Sequence, residues 1–111
     1  MSKFDDVVKK AVEQLAKVGI KSVDETLLRG VAKSQGPSIY LRDASMVSCS
    51  DQSELDRVIN NFVKRKLNVT DDAKIDKAIK ATCATFKPVK QKMRVAFYYV
   101  LVKELGKEEV F

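Results

Sequence analysis

A chain of 111 residues, 45% hydrophobic and 32% charged with four Gly and two Pro, has the size and make-up of one helical globular domain spanning residues 1–111; this excludes a disordered tail and a collagen-like repeat. Its net charge of +6 is unevenly spread, since residues 57–94 hold eleven Lys or Arg against only Asp71, Asp72 and Asp76, and the remainder nets to minus two. With no histidine, the usual imidazole base for a serine or cysteine nucleophile is missing.

In chain order, Ser2 is the expected cap of a first helix whose Phe4, Val7, Val8, Ala11, Val12, Leu15 and Val18 recur at helical spacing. Asp5 and Asp6 suit its first turn, and Gly19-Ile20 reads as a left-handed stop. Ser22 and Glu25 have the spacing of a capping box and open a second helix through Leu27, Leu28, Val31 and Ala32, halted by Gly36-Pro37. Residues 36–50 lack a clean period and are rich in serine; a partly helical, packed connection is expected, with a short turn near 39–42.

Ser50 or Asp51 caps a third helix carrying Leu55, Val58, Ile59, Phe62 and Val63 and ending near Leu67-Asn68. Thr70 is the expected cap of the fourth, which sets Ile75, Ala78, Ile79, Thr82, Cys83 and Phe86 on one face and Lys74, Lys77 and Lys80 on the other. Pro88 suits the first turn of a fifth helix running to Leu105 and stopped by Gly106; from 95 to 102 it is apolar all round, as a helix enclosed by others would be. A faint internal echo sets Phe4-Asp5-x-Val7-Val8 beside Leu55-Asp56-x-Val58-Ile59, suggesting two similar hairpins about a central fifth helix. The expected core is Phe4, Val8, Leu15, Leu27, Val31, Leu55, Ile59, Phe62, Ile75, Ile79, Phe86, Phe97, Val100 and Leu101.

No run resembles the apolar core of a signal peptide, and the longest apolar run, eight residues, is far short of the roughly 20 needed to span a bilayer. A cytoplasmic protein without a membrane partner is the expectation, with Cys49 and Cys83 as free thiols in a reducing compartment.

Candidates for chemistry are few. The acids fall mostly in first helical turns as capping and dipole-compensating groups, no phosphate-loop or dinucleotide spacing occurs, and no catalytic residue, metal or cofactor is expected. Cys49, just before the third helix, is the best single thiol, though a small packed residue is the commoner outcome for such a cysteine. The basic segment offers Lys64, Arg65, Lys66, Lys74, Lys77, Lys80, Lys87, Lys90, Lys92 and Arg94 as an anion-binding surface. No aromatic residues interleave with these to stack bases, so nucleic acid is not favoured, and a solvated face is the commoner meaning of such a lysine pattern. The apolar fifth helix and the ending Glu109-Val110-Phe111 could serve the chain's own core or a second copy.

The strings Gly36-Pro37-Ser38-Ile39-Tyr40, Asp43-Ala44-Ser45-x-Val47-Ser48-Cys49-Ser50-Asp51 and Phe97-Tyr98-Tyr99-x-Leu101-Val102-x-x-Leu105-Gly106, with the Gly19-Ile20-Lys21-Ser22-Val23-Asp24 turn, resemble a family of short, uncharacterised bacterial proteins. The resemblance covers nearly the whole chain and implies a bacterial, cytosolic, self-contained domain without transferring any catalytic or ligand-binding residue. It draws attention to the 36–51 loop, with Tyr40, Arg42, Ser48 and Cys49 as polar groups of a shared surface, or as parts of a packed plug. The expectation is an all-α bundle of about five helices acting as a non-enzymatic binding or interaction module toward a protein partner or itself. The alternative is an electrostatic binder of nucleic acid or an acidic partner through 57–94.

Overall fold

The computed structural model describes residues 3–40 and 46–111, so the Ser2 cap and Arg42 lie outside the described residues. α1 (Lys3–Lys17) buries Val8, Ala11 and Leu15. It stops at Gly19, whose φ of +92° lets the Gly19 N–H reach Ala16 O (3.1 Å) and the Ile20 N–H reach Leu15 O (2.9 Å). This is the paired arrangement by which a left-handed residue satisfies a helix's last carbonyls. α2 (Glu25–Gln35) is capped by Asp24, whose carboxylate accepts from the Leu27 N–H at 3.1 Å. The expected Ser22 cap is thereby corrected: Asp24 sits directly before the first helical residue, where its side chain reaches the third N–H. A 3₁₀ turn at Gly36–Tyr40 overlaps at Ile39 and Tyr40 the short turn expected near 39–42, of which 41–42 lie outside the described residues.

α3 (Gln52–Val58), capped by Asp51, continues into wider π-helical turns at Ile59–Lys64, which the sequence period does not announce. Asn68, at φ +58°, closes that stretch as Gly19 closes α1, with the Val69 N–H on Val63 O at 3.1 Å. α4 (Asp72–Thr85) is capped by Asp71, which accepts from the Ala73 and Lys74 N–H groups, and not by Thr70. The two hairpins thus turn by the same means, a left-handed residue followed by a capping aspartate.

α5 begins at Arg94, not at Pro88, and runs to Leu105. Just before it, Lys92–Met93 (β2) pairs antiparallel with Met46–Val47 (β1), Met46 opposite Met93 and Val47 opposite Lys92. Gln14 of α1 holds the same stretch, accepting from the Met93 N–H (2.8 Å) and donating to Gln91 O (2.9 Å). Backbone groups that a longer helix would have used are engaged elsewhere, which delays the helix start.

α5 packs against α1, α2 and α4. Its residues Val95, Ala96, Phe97, Tyr98, Tyr99, Val100, Leu101, Val102 and Leu105 are all buried. Each such large side chain is worth about 1.5–3 kcal/mol of burial, so α5 is the main apolar contributor. The Asp24 N–H donates to the Tyr99 hydroxyl at 2.9 Å, locking the start of α2 onto this helix. The expected core is observed apart from Phe4 and Ile59, which are only partly buried against it. The fold is an all-α bundle with a central C-terminal helix.

The tail docks on the chain's own core. Phe111 lies against Gly30 of α2, its ring 6.3 Å from that of Phe62 and beneath the Lys66 ammonium at 6.0 Å. Among the described residues the large apolar side chains left exposed are Tyr40 and Val110. The apolar residues of α5 are spent inside the chain.

Candidate functional site

Pairing of β1 with β2 draws the residues after β1 alongside those after α4. Cys49 then meets Cys83, near the C-terminal end of α4, with their Cα atoms 6.0 Å apart and their sulfurs joined in a disulfide. The expectation of two free thiols is corrected, and with it the reading of Cys49 as a lone thiolate candidate. The cause is spatial: a bond across 34 residues of sequence depends on the ribbon, which is too short to show a period.

Beside this disulfide lies an open cleft of about 700 Å³. The loop contributes Ser48, Cys49 and Ser50, and the segment after α4 contributes Lys87, Lys90 and Lys92. Ser48 and Ser50 place their hydroxyl oxygens 3.1 Å apart, and Lys92 Nζ donates to Val89 O at 2.9 Å. The carboxylate in the wall, Glu54, is already committed to Arg94, with Oε1 2.8 Å from Nη2 and both side chains at most 20% exposed. Among the described residues, three lysines therefore line the cleft against one acid whose charge is neutralised, and the lining carries net positive charge.

The ten basic residues singled out by sequence do not form one surface. Arg94 is removed from that surface: besides Glu54, its guanidinium donates to the Tyr98 hydroxyl (3.1 Å) and Met46 O (3.5 Å), so it braces the ribbon from within. Lys64 pairs with Asp72 at 3.4 Å and Lys80 with Asp76 at 2.9 Å, which partly cancels the α4 stripe. Lys66 lies over Phe111, while Arg65, Lys74 and Lys77 stand exposed. Only Lys87, Lys90 and Lys92 converge, and they do so on Ser48 and Cys49 of the other candidate set. Tyr40 lies apart, 45% exposed, beside a second depression of about 400 Å³ that shares Met46 with the first.

Sequence reading missed the ribbon, Gln14 and the role of Glu54. The Glu54 and Arg94 charges, 40 residues apart, carry no local sign of their pairing. Tyr98, which stacks on Phe62 with centroids 4.0 Å apart, has its hydroxyl pushed above the ordinary tyrosine range by burial, with Arg94 pulling part of the way back. Among the described residues, no group of three or more acidic or cysteine side chains is assembled that could hold a metal ion, and no helix is long and apolar enough to cross a membrane.

These features define an all-helical bundle with a cationic cleft walled by a disulfide. Residues 5–109 match the family described as protein of unknown function (DUF2853), and the chain belongs to that family. No curated protein matches the chain.

Proposed function

We propose that this protein is a non-enzymatic binding module whose working surface is the cleft, and that its partner is an acidic segment of another protein. The observation that carries the reading is the convergence of Lys87, Lys90 and Lys92 with the Ser48 and Ser50 hydroxyls around one concave space. A volume of about 700 Å³ suits a few side chains of an extended peptide, and ammonium and hydroxyl donors complement carboxylates. An acidic peptide is preferred to nucleic acid because, among the described residues, no aromatic ring lines the cleft to stack a base, and because Asp72 and Asp76 interrupt the lysine face of α4.

The test is fluorescence anisotropy with a labelled glutamate-rich peptide and a mixed-sequence RNA of similar charge, at low and moderate salt. Peptide binding that weakens with salt and falls by about tenfold or more in the folded Lys87→Glu, Lys90→Glu variant supports the reading. Absence of peptide binding at low salt, or binding indifferent to those substitutions, overturns it. RNA bound more tightly than the peptide, and lost on reversing Lys74, Lys77 and Lys80, would favour the electrostatic nucleic-acid alternative.

A further inference from the structure

The cleft has a chemical feature that peptide binding does not use: its wall carries a disulfide. Cys49 and Cys83 both line the space and both are only partly buried, so the bond packs against the apolar core on one side and borders the cavity on the other. Lys87, Lys90 and Lys92 border the same space. Thiol–disulfide exchange has two electrostatic requirements that such cations meet. The attacking species is a thiolate and must be brought close, and the sulfur that departs carries away an electron pair and must be stabilised as an anion.

We propose that the Cys49–Cys83 disulfide is an exchange site, and that the cleft admits an anionic low-molecular-weight thiol as its reaction partner. The inference rests on the reading of the cleft as an anion-binding surface and adds a substrate class to it. In the first step the thiolate attacks one cysteine sulfur. A new bond forms between the incoming sulfur and that cysteine, the Cys49–Cys83 bond breaks, and its electron pair leaves on the other cysteine as a thiolate. A second molecule of the same thiol attacks the mixed disulfide at the small-molecule sulfur and releases the oxidised small disulfide and the cysteine thiolate. The chain is reduced by two electrons and two small thiols are oxidised to one disulfide. The reverse direction uses the oxidised small disulfide as the oxidant.

A disulfide held in a cationic cleft distinguishes reagents by charge, which a merely structural bridge does not. The oxidised, native full-length protein is treated with mercaptoethanesulfonate (anionic), 2-mercaptoethanol (neutral) and cysteamine (cationic). The rate of bond opening is followed by mass spectrometry after acid quench and expressed per thiolate. The expected result is that the sulfonate opens the bond about tenfold or more faster than the neutral thiol, with cysteamine slowest and a trapped mixed disulfide on one cysteine. The advantage shrinks toward unity in Lys87→Gln, Lys90→Gln, and also in the wild type at high salt, a measurement that does not depend on the variant folding. Equal rates for the three thiols, or opening by none of them without denaturant, overturns the proposal. The peptide assay on the same preparations separates the two readings. Charge-selective opening without peptide binding supports exchange and fails the peptide reading alone, whereas peptide binding without charge selectivity overturns exchange alone.

Discussion

The Tyr98 hydroxyl accepts from Arg94 Nη1 at 3.1 Å while its ring is enclosed against Phe62, and burial is what raises its titration above the ordinary tyrosine value near 10. Above pH 10 the unfolded chain loses this proton first and the folded chain keeps it, so the folded state binds more protons and stability falls as pH rises. The contribution is complete below about pH 10 and is lost as pH climbs through the folded value. Tyr98→Phe should flatten that alkaline decline relative to wild type, as measured by urea denaturation between pH 9 and 11. A parallel decline in both proteins would show that Tyr98 is not its source. The neighbouring Glu54–Arg94 pair is a second residue-scale case. Glu54→Gln leaves the guanidinium enclosed without its counter-charge and should cost roughly 2–3 kcal/mol, below the loss from a fully buried pair because both side chains keep some exposure. Urea melts of the variant against wild type measure it, and a cost under about 0.5 kcal/mol would mark the pair as solvent-screened.

Among the elements, the clearest in the sequence were those held by contacts within one helix, although the caps expected at Ser22 and Thr70 fall instead on Asp24 and Asp71. Val8, Ala11 and Leu15 mark the buried face of α1 by spacing alone, Gly19 adopts the left-handed conformation expected of it, and Asn68 and Gly106, expected only as helix ends, adopt it too. What escaped were elements defined by distant partners. Met46–Val47 and Lys92–Met93 are two residues each and exist only as a pair, so neither shows an alternation, and α5 starts late because Gln14 and β1 claim the backbone before it. The same limit hid the cleft, whose lysines were legible as charge but whose convergence with Ser48 and Cys49 depends on that ribbon. Docking of the tail is also an element-scale matter. A Cβ placed on Gly30 would lie 3.1 Å from the Phe111 Cβ, tight enough that one must move. Gly30→Ala should gain up to about 1 kcal/mol of helix propensity in α2 while displacing Phe111 from Phe62. Nuclear Overhauser contacts between the Phe111 and Phe62 rings should then weaken relative to wild type even though the urea midpoint does not fall. Unchanged contacts would mean that α2 shifts instead.

For the molecule as a whole, stability is shared between a central helix and one covalent tie, and the two act on different states. The disulfide closes a loop of 34 residues, and constraining the unfolded chain over that length is worth about 3–4 kcal/mol on the chain-entropy account. Phe97 acts in the folded state: fully buried on α5 with its ring 5.8 Å from Phe86, it should cost roughly 3–5 kcal/mol when cut to Ala. A domain of this size has roughly 5–15 kcal/mol in all, so either loss alone is survivable and the two together approach the whole. The phenylalanine lost from the core and the loop freed in the unfolded ensemble are not one contact counted twice, so their costs should nearly add. Urea denaturation of wild type and Phe97→Ala, each oxidised and reduced, is the test. The reduced wild type and the oxidised variant should fold cooperatively, with the reduced variant largely unfolded before urea is added. A reduced wild type that loses less than about 1 kcal/mol would mean that the segment between Cys49 and Cys83 is already restrained in the unfolded chain. In that case opening the disulfide in the cleft would leave the bundle almost as stable as before, so exchange there could proceed without loosening α4 from α5.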